Sequence, residues 1–143
     1  MNENLNVLNE VHKGLVMGME SISVLRPKVG DDNFKQVLDD QYKQYGKILD
    51  RVNDEYTNQG GHKPDDTSPA QKMMGWTSIQ MNTMMDKSNS KISEMLIQGT
   101  NMGIVEGRKL LNQNLDLNEN VKLILDDFVK EQEHDVEILK QWL

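Results

Sequence analysis

Proline stands at three places only, 27, 64 and 69, and between these breaks apolar residues return every three or four positions. That pairing constrains the fold more than any motif in the chain. Proline stops helices, and a period near 3.6 residues marks a helix with one face turned to a core. The sequence therefore reads as a series of long amphipathic helices. From about Asn4 to Arg26, Leu5, Leu8, His12, Leu15, Met19 and Ile22 keep the spacing, and Pro27 ends it. The turn "KVGDDN" supplies Asp31 or Asp32 as a cap. A second helix then runs to about Asn58 on Phe34, Leu38, Gln41, Tyr45, Ile48, Val52 and Tyr56.

The stretch "NQGGHKPDDTSPA" is the clearest loop, and His62 within it reads as a solvated loop residue. It closes on Ser68-Pro69-Ala70-Gln71, a cap with proline at the first helical position and glutamine completing a capping box. A shorter helix is predicted from Pro69 to about Lys87, weakening at "DKSNSK". Another long one spans Asn89 to Gln113, with Ile92, Met95, Leu96, Gly99, Gly103, Glu106 and Leu110 on one side. Asp116 to Glu119 has capping-box spacing and opens the last helix, which runs to the chain end. The first and second helices, and the last two, are joined by short turns, so each couple forms an antiparallel hairpin. The middle connection is different. About 19 helical residues rise roughly 28 Å, nearly a bundle length, enough to carry the chain back to its starting end. The expected fold is all-α: one domain over residues 1–143, an antiparallel four-helix bundle with an additional crossover helix.

Composition removes several functions. A formal charge of −7 is the wrong sign for a phosphate-binding face, so nucleic acid is not an expected partner. No run is long and apolar enough to span a membrane, and "MNENLNVLNE" is too polar and acidic for a signal peptide. With no cysteine, thiolate chemistry and cysteine-ligated zinc are out, and a reducing cytoplasm is the expected setting. Neither a nucleophile–base arrangement, a phosphate loop nor a dinucleotide fingerprint occurs. Enzyme chemistry and a small-molecule substrate therefore have no motif to support them.

One feature resists the plain reading. In "VKEQEHDVEIL" the apolar stripe Val121, Leu125, Phe128, Ile138, Trp142 is interrupted by Glu131, with His134 three positions on and so on the same helix face. The two hairpins also look faintly duplicated. Met17-Gly18-Met19-Glu20 parallels Met102-Gly103-Ile104-Val105-Glu106. Aligning Ile48-Leu49 with Ile138-Leu139 sets Gln41 opposite Glu131 and Gln44 opposite His134.

In helix order and in these residues the chain resembles the ferritin-like superfamily of di-metal carboxylate bundles, and within it the small bacterial ferritin-like domains. That family takes one Glu from each of the first and third long helices and a Glu-x-x-His pair from each of the second and fourth. The resemblance implies Glu20, Glu106, Glu131 and His134 as metal ligands. Gln41 and Gln44 stand where the second Glu-x-x-His belongs. Two ions in a low-dielectric core need several carboxylates, and amide oxygens are weak substitutes for iron or manganese. The resemblance thus implies at most one divalent ion (iron, manganese or zinc) on Glu106, Glu131 and His134 with Glu20 nearby. The alternative is a metal-free hydrogen-bond network of Gln41, Gln44, Glu131 and His134, tolerable only if each member is satisfied. The matching function is a helical self-association or protein-interaction module.

Two other features bear on association. Ten methionines, several in "KMMGWTSIQMNTMMDK", read as core and crossover packing or as an adaptable binding surface. Gly99, Gly103 and Gly107 let a helix approach closely, either inside the bundle or across a homodimer. The paired acids Asp39-Asp40 and Asp126-Asp127 read as helix surface.

Overall fold

A computed structural model describes residues 2–61 and 84–143. Four long helices account for most of them: α1 (Glu3–Leu25), α2 (Asp32–Asn58), α3 (Asn89–Gln113) and α4 (Glu119–Lys140), with a short 3-10 turn, Arg26–Lys28, carrying Pro27 after α1. No strand occurs among the described residues, so the chain is all-helical there. None of these helices is long and apolar enough to cross a membrane. Most of the predicted 69–87 helix, and His62, fall outside the described residues, and residues 84–88 ahead of α3 are not helical.

Each helix begins where a short polar side chain can take up free backbone N–H groups. Asn2 accepts from the Leu5 amide at 3.0 Å, and Asp31, not Asp32, accepts from Asn33 and Phe34 at 2.8 and 3.1 Å. Ser88 accepts from Lys91 at 3.1 Å. The expected cap at Asp116 is displaced: Asn118 caps α4 through the Asn120 amide at 2.9 Å. Its own N–H is held by the Asn4 side chain at 2.8 Å, which ties the start of α4 to the start of α1. Tertiary anchoring here outweighs the local capping-box pattern.

Cross-helix contacts fix the directions. Asn9 accepts from the Tyr56 hydroxyl at 2.5 Å near one end of α1, and Arg26 donates to Asp39 at 2.9 Å near the other, so α1 and α2 are antiparallel. The Arg26 guanidinium holds the Asp39 carboxyl below the usual carboxylate range. Between α2 and α4, Arg51 meets Asp127 at 2.9 Å and Phe34 stacks on Trp142 at 4.8 Å, again antiparallel. Arg108 meets Glu133 at 2.7 Å and the Ser93 hydroxyl donates to the Leu139 carbonyl, so α3 also opposes α4. Consequently α2 and α3 run the same way, and the end of α2 lies at the opposite end of the bundle from the start of α3. The core between them holds Tyr56, Phe34, Leu8, Leu15, Leu25, Leu38, Ile92, Leu125 and Leu139, all essentially inaccessible to solvent.

Glycines set the closest approaches. A Cβ at Gly107 would stand 2.5 Å from a methyl of Val129, and one at Gly103 would overlap the Gln132 amide. These two glycines therefore serve the α3–α4 seam inside the bundle. Gly99 meets nothing within 4 Å. Opposite effects are expected from the same change on one helix. Gly99→Ala should stabilise by up to about 1 kcal/mol through helix propensity. Gly107→Ala should lose about 1 kcal/mol net, because overpacking against a stiff β-branched side chain costs about 1–3 kcal/mol. Denaturant midpoints measured at high dilution would check both; a gain at Gly107 would show that the seam has room.

Candidate functional site

The residues buried along α4 include Val121, Leu125, Phe128, Gln132, Asp135 and Leu139, separated by alternating steps of four and three. That is heptad spacing, in which a straight seam faces its neighbours turn after turn. It corrects the stripe expected from sequence at Glu131 and Ile138, while Trp142 does pack against the core, stacked on Phe34. Each residue step turns the helix by about 100°, so the shift carries Gln132 and Asp135 into the core. Glu131 is left half-buried at the edge of the seam, and His134 is exposed.

Asp135 is the centre of the resulting polar cluster, with only 1% of its surface exposed. Its carboxyl faces Glu131 one turn earlier on α4 and the Tyr45 hydroxyl of α2, and Tyr45 in turn meets the Thr100 hydroxyl of α3. The Tyr45 ring lies against Gly18 of α1, where a Cβ would stand 3.1 Å from its edge. All four helices thus meet at this level. Burial, then hydrogen bonding and charge repulsion from Glu131, push the Asp135 carboxyl up to about 8, while the Tyr45 hydroxyl pulls the other way. Burial also raises Tyr45 well above the ordinary phenol value, reinforced by the charge and hydrogen bond of Asp135 and the charge of Glu131. At neutral pH Asp135 therefore holds its proton and Tyr45 stays neutral. Gln41, 4% exposed, and Gln132, 4% exposed, add two interior amides. Their Nε2 atoms and Asp135 Oδ2 are buried without a hydrogen-bond partner.

The six positions singled out in the sequence do not converge. Gln44, Glu131 and His134 come together on an open groove between α2 and α4, alongside Lys47, Arg51, Asp127 and Lys130. Gln41 lies in the interior, one turn of α2 before Tyr45. Glu20 is half-buried on α1. Glu106 is exposed on the outer face of α3, 3.6 Å from Lys109, because Gly107 rather than Glu106 turns inward. Among the described residues no three His, Asp or Glu side chains group closely enough to hold a metal ion. The donor set does not fit a two-metal centre, because both carboxyls of the cluster, Glu131 and Asp135, come from α4. Bridging two ions draws carboxylates from several helices.

The sequence pattern does not mark Asp135, Gln132 or Thr100 as functional, and it places Tyr45 on an ordinary core stripe. The signal that finds the first two is the strict heptad running from Val121 to Leu139. Comparison with family models, with curated proteins and with solved structures gives no match.

Proposed function

We propose that the chain is a ferritin-like bundle without the two-metal centre, acting as a helical interaction module and not as an oxidase. The helix directions support the ferritin-like arrangement. With α1 parallel to α4 and α2 parallel to α3, two antiparallel hairpins need a crossing connection between them, as in that architecture. The observation that carries the functional reading is the composition of the interior cluster. α4 alone contributes carboxyls, α2 contributes an amide and a phenol, α3 a hydroxyl, and both glutamates of α3, Glu94 and Glu106, are exposed. Such a cluster stores a proton and orders four helices, but it offers no ligand cage. Among the described residues the open groove offers a divalent ion Glu131 and His134, with Asp127 taken up by Arg51 and with water, Lys47 and Lys130 in competition.

Metal analysis of protein purified without an affinity tag tests this reading. Less than one equivalent of iron, manganese or zinc per chain is expected after dialysis. Two equivalents retained per chain, or calorimetric binding of two manganese ions, would overturn it.

A further inference from the structure

We propose that two copies of the chain associate through the outer faces of their α3 helices, packed antiparallel about a two-fold axis between Asn101 and Met102. This deepens the interaction-module reading and rests on it.

The outer face of α3 carries Glu94, Gln98, Asn101, Met102, Val105 and Lys109, which at about 100° per residue fall on one side of the helix. All six are exposed. Met102 at 61% and Val105 at 52% exposure are the apolar middle, in a shallow depression that Gln98, Asn101 and Glu106 complete. The order of residues along this line is self-complementary. Laid antiparallel on its copy, Met102 meets the partner's Asn101 beside the axis and Val105 meets the stem of the partner's Gln98. Lys109 at one end meets the partner's Glu94, and Glu94 meets the partner's Lys109. A two-fold interface must match its own surface in this way, since each contact occurs twice. A parallel arrangement would put Lys109 on Lys109 and Glu94 on Glu94, so charge selects the antiparallel one. Within one chain Glu94 and Lys109 make only loose pairs, 3.6 Å to Lys91 and 3.6 Å to Glu106, with all four side chains substantially exposed. Exposed pairs of this kind hold little and do not compete with the cross-copy pairing.

A single helix seam buries less than the roughly 800 Å² per partner of a standard interface. The dimer is therefore expected to dissociate in the micromolar range and to weaken with salt. Sedimentation equilibrium of the full chain across a concentration series reads this directly. Lys109→Glu or Glu94→Lys alone turns two attractive pairs into repulsive ones and should weaken the dimer about tenfold. The double variant exchanges the two charges and should restore association to within about twofold. Met102→Asp, at an exposed position beside the axis, should give monomer with unchanged helical circular dichroism. A monomer at tens of micromolar in the parent chain would overturn the inference. So would a dimer indifferent to Met102→Asp, or a double variant no tighter than the single ones. None of these outcomes touches the metal content, so failure of this interface and failure of the interaction-module reading are separable.

Discussion

Replacing Asp135 with asparagine is expected to stabilise the protein on the order of 4 kcal/mol more at about pH 8 than at about pH 4.5. The direction follows from where the proton sits. Asp135 ionises near 3.8 in the unfolded chain but near 8 when folded, because it is buried and faces Glu131. Its contribution to stability is full below the unfolded value and is lost as pH rises through the folded one. Between the two, the folded state holds a proton that the unfolded state has released, at about 1.4 kcal/mol per pH unit. Asparagine keeps the shape and a polar contact for Tyr45 while removing the titration. The carboxylates away from this cluster shift both proteins alike, so the difference between the two pH values reports Asp135 together with its neighbour Glu131. Denaturant melts of parent and variant at both pH values give that difference. Parallel pH profiles would mean that Asp135 keeps an ordinary carboxylate environment.

How much of this was legible in the sequence depends on what each helix face is made of. Every residue assigned to the α2 stripe, from Phe34 through Gln41 and Tyr45 to Tyr56, is buried. That stripe is bordered by charged residues, and one register alone satisfies it. On α4 the register was ambiguous past Phe128. Both Ile138 and the couple Val136 and Leu139 offer apolar residues there; the structure buries Val136 and Leu139 and leaves Ile138 half-buried, while Trp142 stacks on Phe34. The same one-residue rotation on α3 put Glu106 on the inner face in the sequence reading, whereas Gly107 occupies it. A glycine gives no hydrophobic signal, although it is what lets α3 close on Val129. The cluster around Asp135 was hidden for a related reason. A buried carboxyl looks like a surface residue in sequence, and only the heptad step from Phe128 through Gln132 marks it as interior.

The second large effect is expected at Gln41, the interior position where the ferritin-like pattern has a glutamate. Gln41→Glu alone should cost about 2–4 kcal/mol at neutral pH and much less at about pH 4, because a carboxyl at a 4% exposed site must either ionise in the core or hold its proton. It would enter the same buried face of α2 as Tyr45, one turn from the phenol that meets the Asp135 carboxyl, and no lysine or arginine acts on Asp135 there. Adding Gln44→His completes the family's ligand pattern on α2, and a ferritin-like site held in register would then bind two divalent ions and recover the lost stability by mass action. The geometry predicts otherwise. Gln44 is exposed at the groove beside Glu131 and His134, while Glu106 stands on the far side of α3 beside Lys109. A histidine at 44 should therefore assemble at most a single-ion surface site with Glu131 and His134, and manganese should leave most of the Gln41→Glu penalty in place. Thermal melts with and without manganese, paired with calorimetric titration, separate the cases. Two equivalents bound with full recovery of the melting temperature would show that the bundle can turn Glu106 inward, and the metal-free reading would fall. One weak equivalent with the penalty intact would leave the interior as a proton-holding polar cluster. The chain's interactions would then run through its surface.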